Sequence, residues 1–199
     1  MSAPSFHVEP LGLAHRERLP ALFERADCAC YCRYWHFAGT SNDWALRMAT
    51  APEQNRRALE AAIDAGSLEA SGLVALSDAG GEVVGWMKLA PAASLPKLYA
   101  QRLYRGLPCF EGERGHVWTI GCLLVDPGWR RAGVARALIG AGVAFARARG
   151  ATAIEAFPRR ADLLRPDEMW TGPFSALAEH GFAVVHDFKP YPVLRRTLA

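Results

Sequence analysis

The stretch Val125–Ile139 reads VDPGWRRAGVARALI and joins an apolar run to an Ala-rich one. The run before it, HVWTIGCLLVD at 116–126, has the length and apolar character of a strand. The run after it, 133–149, puts Val134, Leu138, Ala141, Gly142 and Phe145 on one helical face and stops at Gly150. A helix start carries backbone N–H groups with no partner inside the helix, at the positive end of the aligned peptide dipoles. Gly133 lets a ligand approach the backbone, Ala135 keeps the first turn narrow, and Arg130, Arg131 and Arg136 surround it with cationic donors. A phosphate or diphosphate fits such a junction; the alternative is a solvated basic helix start. Neither G-x-x-x-x-G-K-[ST] nor G-x-G-x-x-G occurs, so the junction is neither a Walker loop nor a dinucleotide fingerprint.

The chain has 199 residues, 51% of them hydrophobic and 22% charged, which suits one globular domain over 1–199. A net charge of +3 helps attract an anion without pointing to nucleic acid. No apolar run approaches the roughly 20 residues that cross a bilayer. The opening MSAPSFHVEPLG lacks the basic start and apolar core of a secretory signal. The expectation is a cytoplasmic protein with no membrane or nucleic-acid partner. Five cysteines, an odd number, suit reduced thiols better than a disulfide framework.

Working outward, SFHVE (5–9) reads as a strand and 13–26 as a helix weakened in its middle by Pro20. A second helix is expected over about 43–65, capped by Asn42 and stopped at Gly66. Segments 72–78 and 83–90 flank AGGE and read as a hairpin. Segment 91–115 is Pro-punctuated, with a short helix near LPKLYAQRLY. ATAIEAF (151–157) is a strand, FSALAEH a short helix stopped at Gly181, and 182–198 one or two terminal strands. The hairpin calls for antiparallel pairing, and the strand–helix–strand unit at 116–157 for a parallel crossover. The fold class is α/β: a mixed sheet with helices on both faces.

Arg130-x-x-Gly133-x-Ala135 after CLLVDP resembles motif A of the GNAT superfamily, the acyl-CoA-dependent N-acyltransferases. The order of elements and the ALAEHGF ending are similar too. The resemblance implies a mostly antiparallel sheet splayed at its central strand. It implies a loop of Arg130, Arg131, Ala132, Gly133, Val134, Ala135 and Arg136 holding the diphosphate of acetyl-CoA. It also implies a backbone at Leu123, Leu124 and Val125 that carries the pantetheine arm like an added strand, with a main-chain N–H to steady the oxyanion. The reaction implied is direct acetyl transfer to the amine of a small molecule or protein.

For the base, the resemblance points to Glu155 in AIEAF; the alternative is a strand-edge glutamate paired with Arg159 or Arg160. Where many family members place a tyrosine acid, this chain has Leu177, leaving Tyr191, Cys122 and His116 to be tested by the fold. CACYCRYWHF at 28–37 follows the first helix, where the family's acceptor site is overhung. Tyr31 and Trp35, with Trp118 and Trp170, are the expected acceptor pocket. Cys28, Cys30 and Cys32 with His36 do not have the usual C-x₂-C spacing of a zinc site, so burial as small apolar residues and no metal are expected. This segment, with Trp118-Thr-Ile-Gly-Cys122 and Trp170-Thr-Gly172, resembles a subgroup without a settled substrate. Transfer of a larger acyl group or acylation of a hydroxyl, a CoA-binding sensor or partner-binding domain without turnover, and a zinc-stabilised interaction module are the rival readings. A homodimer through an exposed last strand or the Pro-rich end is a further expectation.

Overall fold

Strands β1 (Phe6–Pro10), β2 (Gly72–Ser77), β3 (Val83–Pro91), β4 (Val117–Val125), β5 (Ala153–Ala156), β6 (Ala183–His186) and β7 (Val193–Thr197) form one sheet. This computed structural model describes residues 5–165 and 168–198, and its strand order is β1-β2-β3-β4-β5-β7-β6. Every neighbouring pair is antiparallel except β4 and β5, which run parallel. That exception is the expected crossover, made by the helix that follows β4.

Among the described residues, six α-helices flank the sheet: α1 (Leu19–Arg25), α2 (Ser41–Thr50), α3 (Glu53–Asp64), α4 (Pro96–Tyr99), α5 (Val134–Arg147) and α6 (Phe174–Glu179). Helices α5 and α6 cover one face, where Met87, Leu89, Ile120, Leu138, Val143 and Leu177 are buried together. Helices α1 and α3 cover the other, over Leu22, Phe23, Leu59, Val74, Trp86 and Cys122. Among the described residues, no helix is long and apolar enough to cross a membrane.

Two helices depart from the sequence reading. The expected 43–65 helix is two helices parted at Ala51–Pro52, because proline has no N–H to continue the ladder. The cap of α2 is Thr40 rather than Asn42: its side chain accepts the Asp43 N–H, and the Asp43 carboxylate accepts the Thr40 N–H at 2.8 Å. Pro20 does not interrupt a helix from 13; it lies in the first turn of α1, where a missing N–H is harmless.

The central strand is irregular at one point. Lys88 opposes Cys122 and Leu89 opposes Ile120, so Gly121 is the extra residue of a bulge. Its carbonyl accepts the indole N–H of Trp35 at 2.8 Å. A β-carbon there would lie 3.3 Å from Leu95 and 3.5 Å from Trp35, so the site has little room beyond glycine. Strands β4 and β5 pair only from Val117–Ala153 to Ile120–Ala156. Beyond the bulge β4 runs on with β3 alone, and a gap opens on its other side.

Helix α5 is pressed against the sheet at its first turn. A β-carbon on Gly85 of β3 would sit 2.6 Å from Val134 and 3.0 Å from Leu138. Gly85→Ala is therefore expected to cost about 1–3 kcal/mol through overpacking, read from urea unfolding; an unchanged midpoint would show that the turn is not held by this contact.

Candidate active site

The loop between β4 and α5 is fixed from both ends. Asp126 accepts the Gly128 N–H at 2.8 Å with one carboxylate oxygen and Arg25 Nε at 2.5 Å with the other. Arg25 also donates to the Val83 carbonyl at 2.7 Å, tying the turn to α1 and β3. Arg131 and Gly133 then take left-handed backbone conformations, with φ of 66° and 88°. Such a φ is costly for any residue with a β-carbon, which accounts for glycine at 133. No side chain caps α5, so its first-turn N–H groups remain available to an anion. Arg130 and Arg131 are exposed beside them. Arg136 is not a free cation: it makes a two-point ion pair with Glu179, at 2.6 and 3.0 Å.

A cleft of about 1210 Å³ runs from this loop along the open side of β4. Arg130, Arg131, Gly133, Val134, Ala135 and Arg136 line one end, Cys122 to Val125 its floor, and Tyr34, Trp35, Leu98, Gln101, Tyr104, Phe157 and Tyr191 the far chamber. Ala132 does not line it. The Asp126 N–H bonds to Val84 on the β3 side, so by strand alternation the N–H groups of Leu123 and Val125 point into the gap. That of Leu123 is not vacant. It donates to the Trp170 carbonyl at 2.7 Å, a correction to the expected free donor. The Trp170 ring lies over Trp35 with centroids 5.7 Å apart, so the segment before α6 straps the mouth of the splay.

Two expected pocket residues lie elsewhere. Trp118 points to the α5 face, edge-on to Phe145 at 5.8 Å, because its alternation places it there with Ile120. Tyr31 is stacked on Phe23 at 5.0 Å beneath α1. Trp35 and Trp170 do line the cleft. So do Tyr191 and Cys122, but not His116. Leu177 is buried in the α5-side core. Leu98, Gln101 and Tyr104, from the Pro-punctuated segment, were not anticipated; their signal was an aromatic-rich run too irregular to be a strand.

Glu155 does not fit a base. It is fully buried, and both its oxygens are occupied. Arg114 donates to them at 3.0 and 2.8 Å, Arg195 Nε and Nη2 to one at 3.1 and 2.5 Å, and Tyr99 to the other at 2.5 Å. Burial opposes its charge, but the bonds from Arg114, Tyr99 and Arg195 prevail and hold it below the usual carboxylate range. It lies outside the cleft lining. Its partners are neither Arg159 nor Arg160, and Arg195 is not on a solvated face. The cluster ties β5 and β7 to the irregular segment before β4.

Among the described residues, no group of three or more His, Cys, Asp or Glu is placed to hold a metal ion. His36 is pushed down to about 3 by burial and by the charges of Lys88 and Arg33. The thiols of Cys28 and Cys30 lie 3.4 Å apart on the cleft wall, while Cys32 and Cys122 are buried. Lys88, fully buried, donates to the Glu69 carbonyl at 2.6 Å.

Glu155→Gln should therefore lower stability by about 3–5 kcal/mol, since it strands two arginines. A base would instead lose turnover with stability intact. Because folding depresses the Glu155 pKa, its contribution is present above the unfolded value and fades as pH falls below roughly 4.3. Denaturant unfolding of both proteins at pH 7 and pH 3 checks this: the gap between them should narrow at the lower pH.

The fold is met again in known proteins. The model of the acetyltransferase (GNAT) family matches residues 37–163. Among curated proteins, none matches the chain in sequence. The fold is shared with a PaiA N-acetyltransferase from Thermoplasma acidophilum solved with coenzyme A: 10% identity, TM-score 0.55, 98% of this chain and 99% of that one. It is shared with YncA, a putative acetyltransferase from Salmonella typhimurium solved with acetyl-CoA: 15% identity, TM-score 0.56, 100% and 95%. It is shared also with YhbS from Escherichia coli, solved with CoA: 16% identity, TM-score 0.56, 100% and 84%. With the family model spanning the central strand, the phosphate-type loop and the crossover helix, the chain belongs to the GNAT acetyltransferase family.

Proposed function

We propose that the protein transfers an acetyl group directly from acetyl-CoA to the amine of an acceptor with an apolar or aromatic body. One observation carries the reading: a single cleft joins an uncapped, arginine-flanked helix start to an aromatic chamber along an unpaired strand edge. The residues present fit the cosubstrate. The left-handed Arg131 and Gly133 open the α5 N–H groups to a diphosphate, and the open edge of β4 suits an extended amide-bearing arm. Acetyl-CoA supplies the activated thioester.

The chain's own part is positioning and proton control. Val125 N–H faces the gap, and the Leu123 N–H joins it once the Trp170 carbonyl is displaced. Glu155 being engaged, the described residues of the far chamber include no carboxylate to take the amine's proton directly; of those elsewhere on the cleft lining, Glu168 is paired with Arg159 and Asp27 is exposed to solvent. The amine is therefore selected in its neutral form, which an aromatic, dehydrating chamber favours. For the leaving thiolate, the chamber offers the hydroxyls of Tyr104 and Tyr191. Burial pushes Tyr104 up to about 12, so it stays protonated and can donate. Among the described residues the far chamber carries no carboxylate, which disfavours polyamine acceptors.

Gly133→Glu should weaken CoA binding at least 100-fold in calorimetry, by placing a side chain and a negative charge where the diphosphate sits; unchanged affinity would remove the CoA assignment. In an amine panel with acetyl-CoA, aromatic and aliphatic amines should outperform spermidine. Tyr191→Phe and Tyr104→Phe should separate the donor, the true one losing on the order of 10²-fold in kcat with KM little changed. Binding of CoA with no turnover across the panel would favour the sensor reading instead.

A further inference from the structure

Three places lie outside the proposed chemistry: the buried Lys88, the exposed Val184 and Val185 of β6, and the cysteines at 28–32. Only the last joins reactive groups, a near contact and access to solvent. Cys28 and Cys30 are both half-buried free thiols on the cleft wall, with their sulfurs 3.4 Å apart. The Cys32 N–H also points to the Cys30 sulfur at 3.4 Å. The Cys28 N–H is tied to the Phe23 carbonyl at 2.8 Å. The backbone between is held in left-handed conformations at Asp27, Tyr31 and Cys32, with φ of 50°, 45° and 57°. Three such residues within six positions mark a segment whose geometry the surrounding fold imposes. Simple burial would not need sulfurs in contact at a solvent-reached wall.

We propose that Cys28 and Cys30 form a dithiol site for thiol–disulfide exchange, which takes low-molecular-weight disulfides that enter the cleft. Cys28 is the attacking sulfur. The hydrogen bond from Cys30, the largest influence on it, draws its pKa below that of an ordinary thiol, while Cys30 is held well above. In the first step the Cys28 thiolate bonds to one sulfur of the disulfide RSSR, whose S–S bond breaks, and RS⁻ departs and takes a proton. In the second, Cys30, as its thiolate, bonds to the Cys28 sulfur and expels the second RS⁻, which is protonated in turn. The protein dithiol is oxidised to a disulfide and RSSR is reduced to two RSH. The sulfurs need only close from 3.4 Å to the ~2.05 Å of a disulfide. With the cleft as the acetyl-CoA site proposed above, acetyl-CoA should shield the pair.

The test is to incubate the reduced protein with glutathione disulfide, with and without saturating acetyl-CoA. The native protein should lose two titratable thiols and about 2 Da, with peptide mapping joining Cys28 to Cys30. Cys30→Ser should stop at a glutathione adduct on Cys28, and Cys28→Ser should react at least 10-fold more slowly. A native protein that halts at the mixed disulfide, or thiol loss mapped to Cys109, would overturn the proposal. Acetyl-CoA should slow closure at least 5-fold. Closure at an unchanged rate would leave the dithiol standing and count against the cleft as the CoA site, which calorimetry with CoA judges separately.

Discussion

The hydrogen bond from the Trp35 indole to the Gly121 carbonyl is the contact on which the site depends. It is made at the one residue of β4 that the ladder leaves out, a buried carbonyl that would otherwise lack a partner and cost about 1–3 kcal/mol. By satisfying it from a side chain rather than from β5, the fold lets β4 and β5 part company after Ile120. The gap so opened is the cleft. A bulge without such a partner would be under pressure to close back onto its neighbour.

The Glu155 cluster does complementary work on the closed side of the same fork. There β4, β5 and β7 are still paired, and a buried carboxylate gathers two guanidinium groups and a phenol around it. Arg114 also lies over the rings of Tyr99 and Phe110, so the Pro-punctuated segment is clamped to the sheet by charge and aromatic faces together. That segment carries Leu98, Gln101 and Tyr104 into the chamber. A buried anchor beside such a loop is what lets irregular backbone present side chains in fixed positions.

What the sequence disclosed was local. The β4–α5 junction, the crossover and the hairpin depend on neighbours a few residues apart, and the glycine, proline and apolar spacing that encode them are visible in one dimension. What it withheld was relational. Glu155 looked like a lone carboxylate in an apolar strand because Arg114 and Arg195 are 41 and 40 residues away. Trp118 and Trp35 are both tryptophans near the centre of the fold, yet one joins the α5-side core and the other the opposite face; Trp118 faces as strand alternation in β4 dictates, whereas Trp35 sits in a short 3-10 turn, Tyr34–His36, that only the tertiary fold brings against Gly121. The doublet Cys28 and Cys30 was legible as a pattern, but extended backbone would have put its thiols on one face beside that of Cys32, whereas the left-handed turns send Cys32 inward.

The strap at Trp170 bears on where cosubstrate affinity comes from. Its carbonyl already satisfies Leu123, so an incoming amide acceptor exchanges one hydrogen bond for another of the same kind and gains little net free energy there. On the proposed binding mode, attraction is then concentrated at the nucleotide end, where uncapped N–H groups and guanidinium charges would meet an anion. In that mode the middle of the cleft would supply registration, setting how far along the strand the thioester lies, while the grip is exerted some way off.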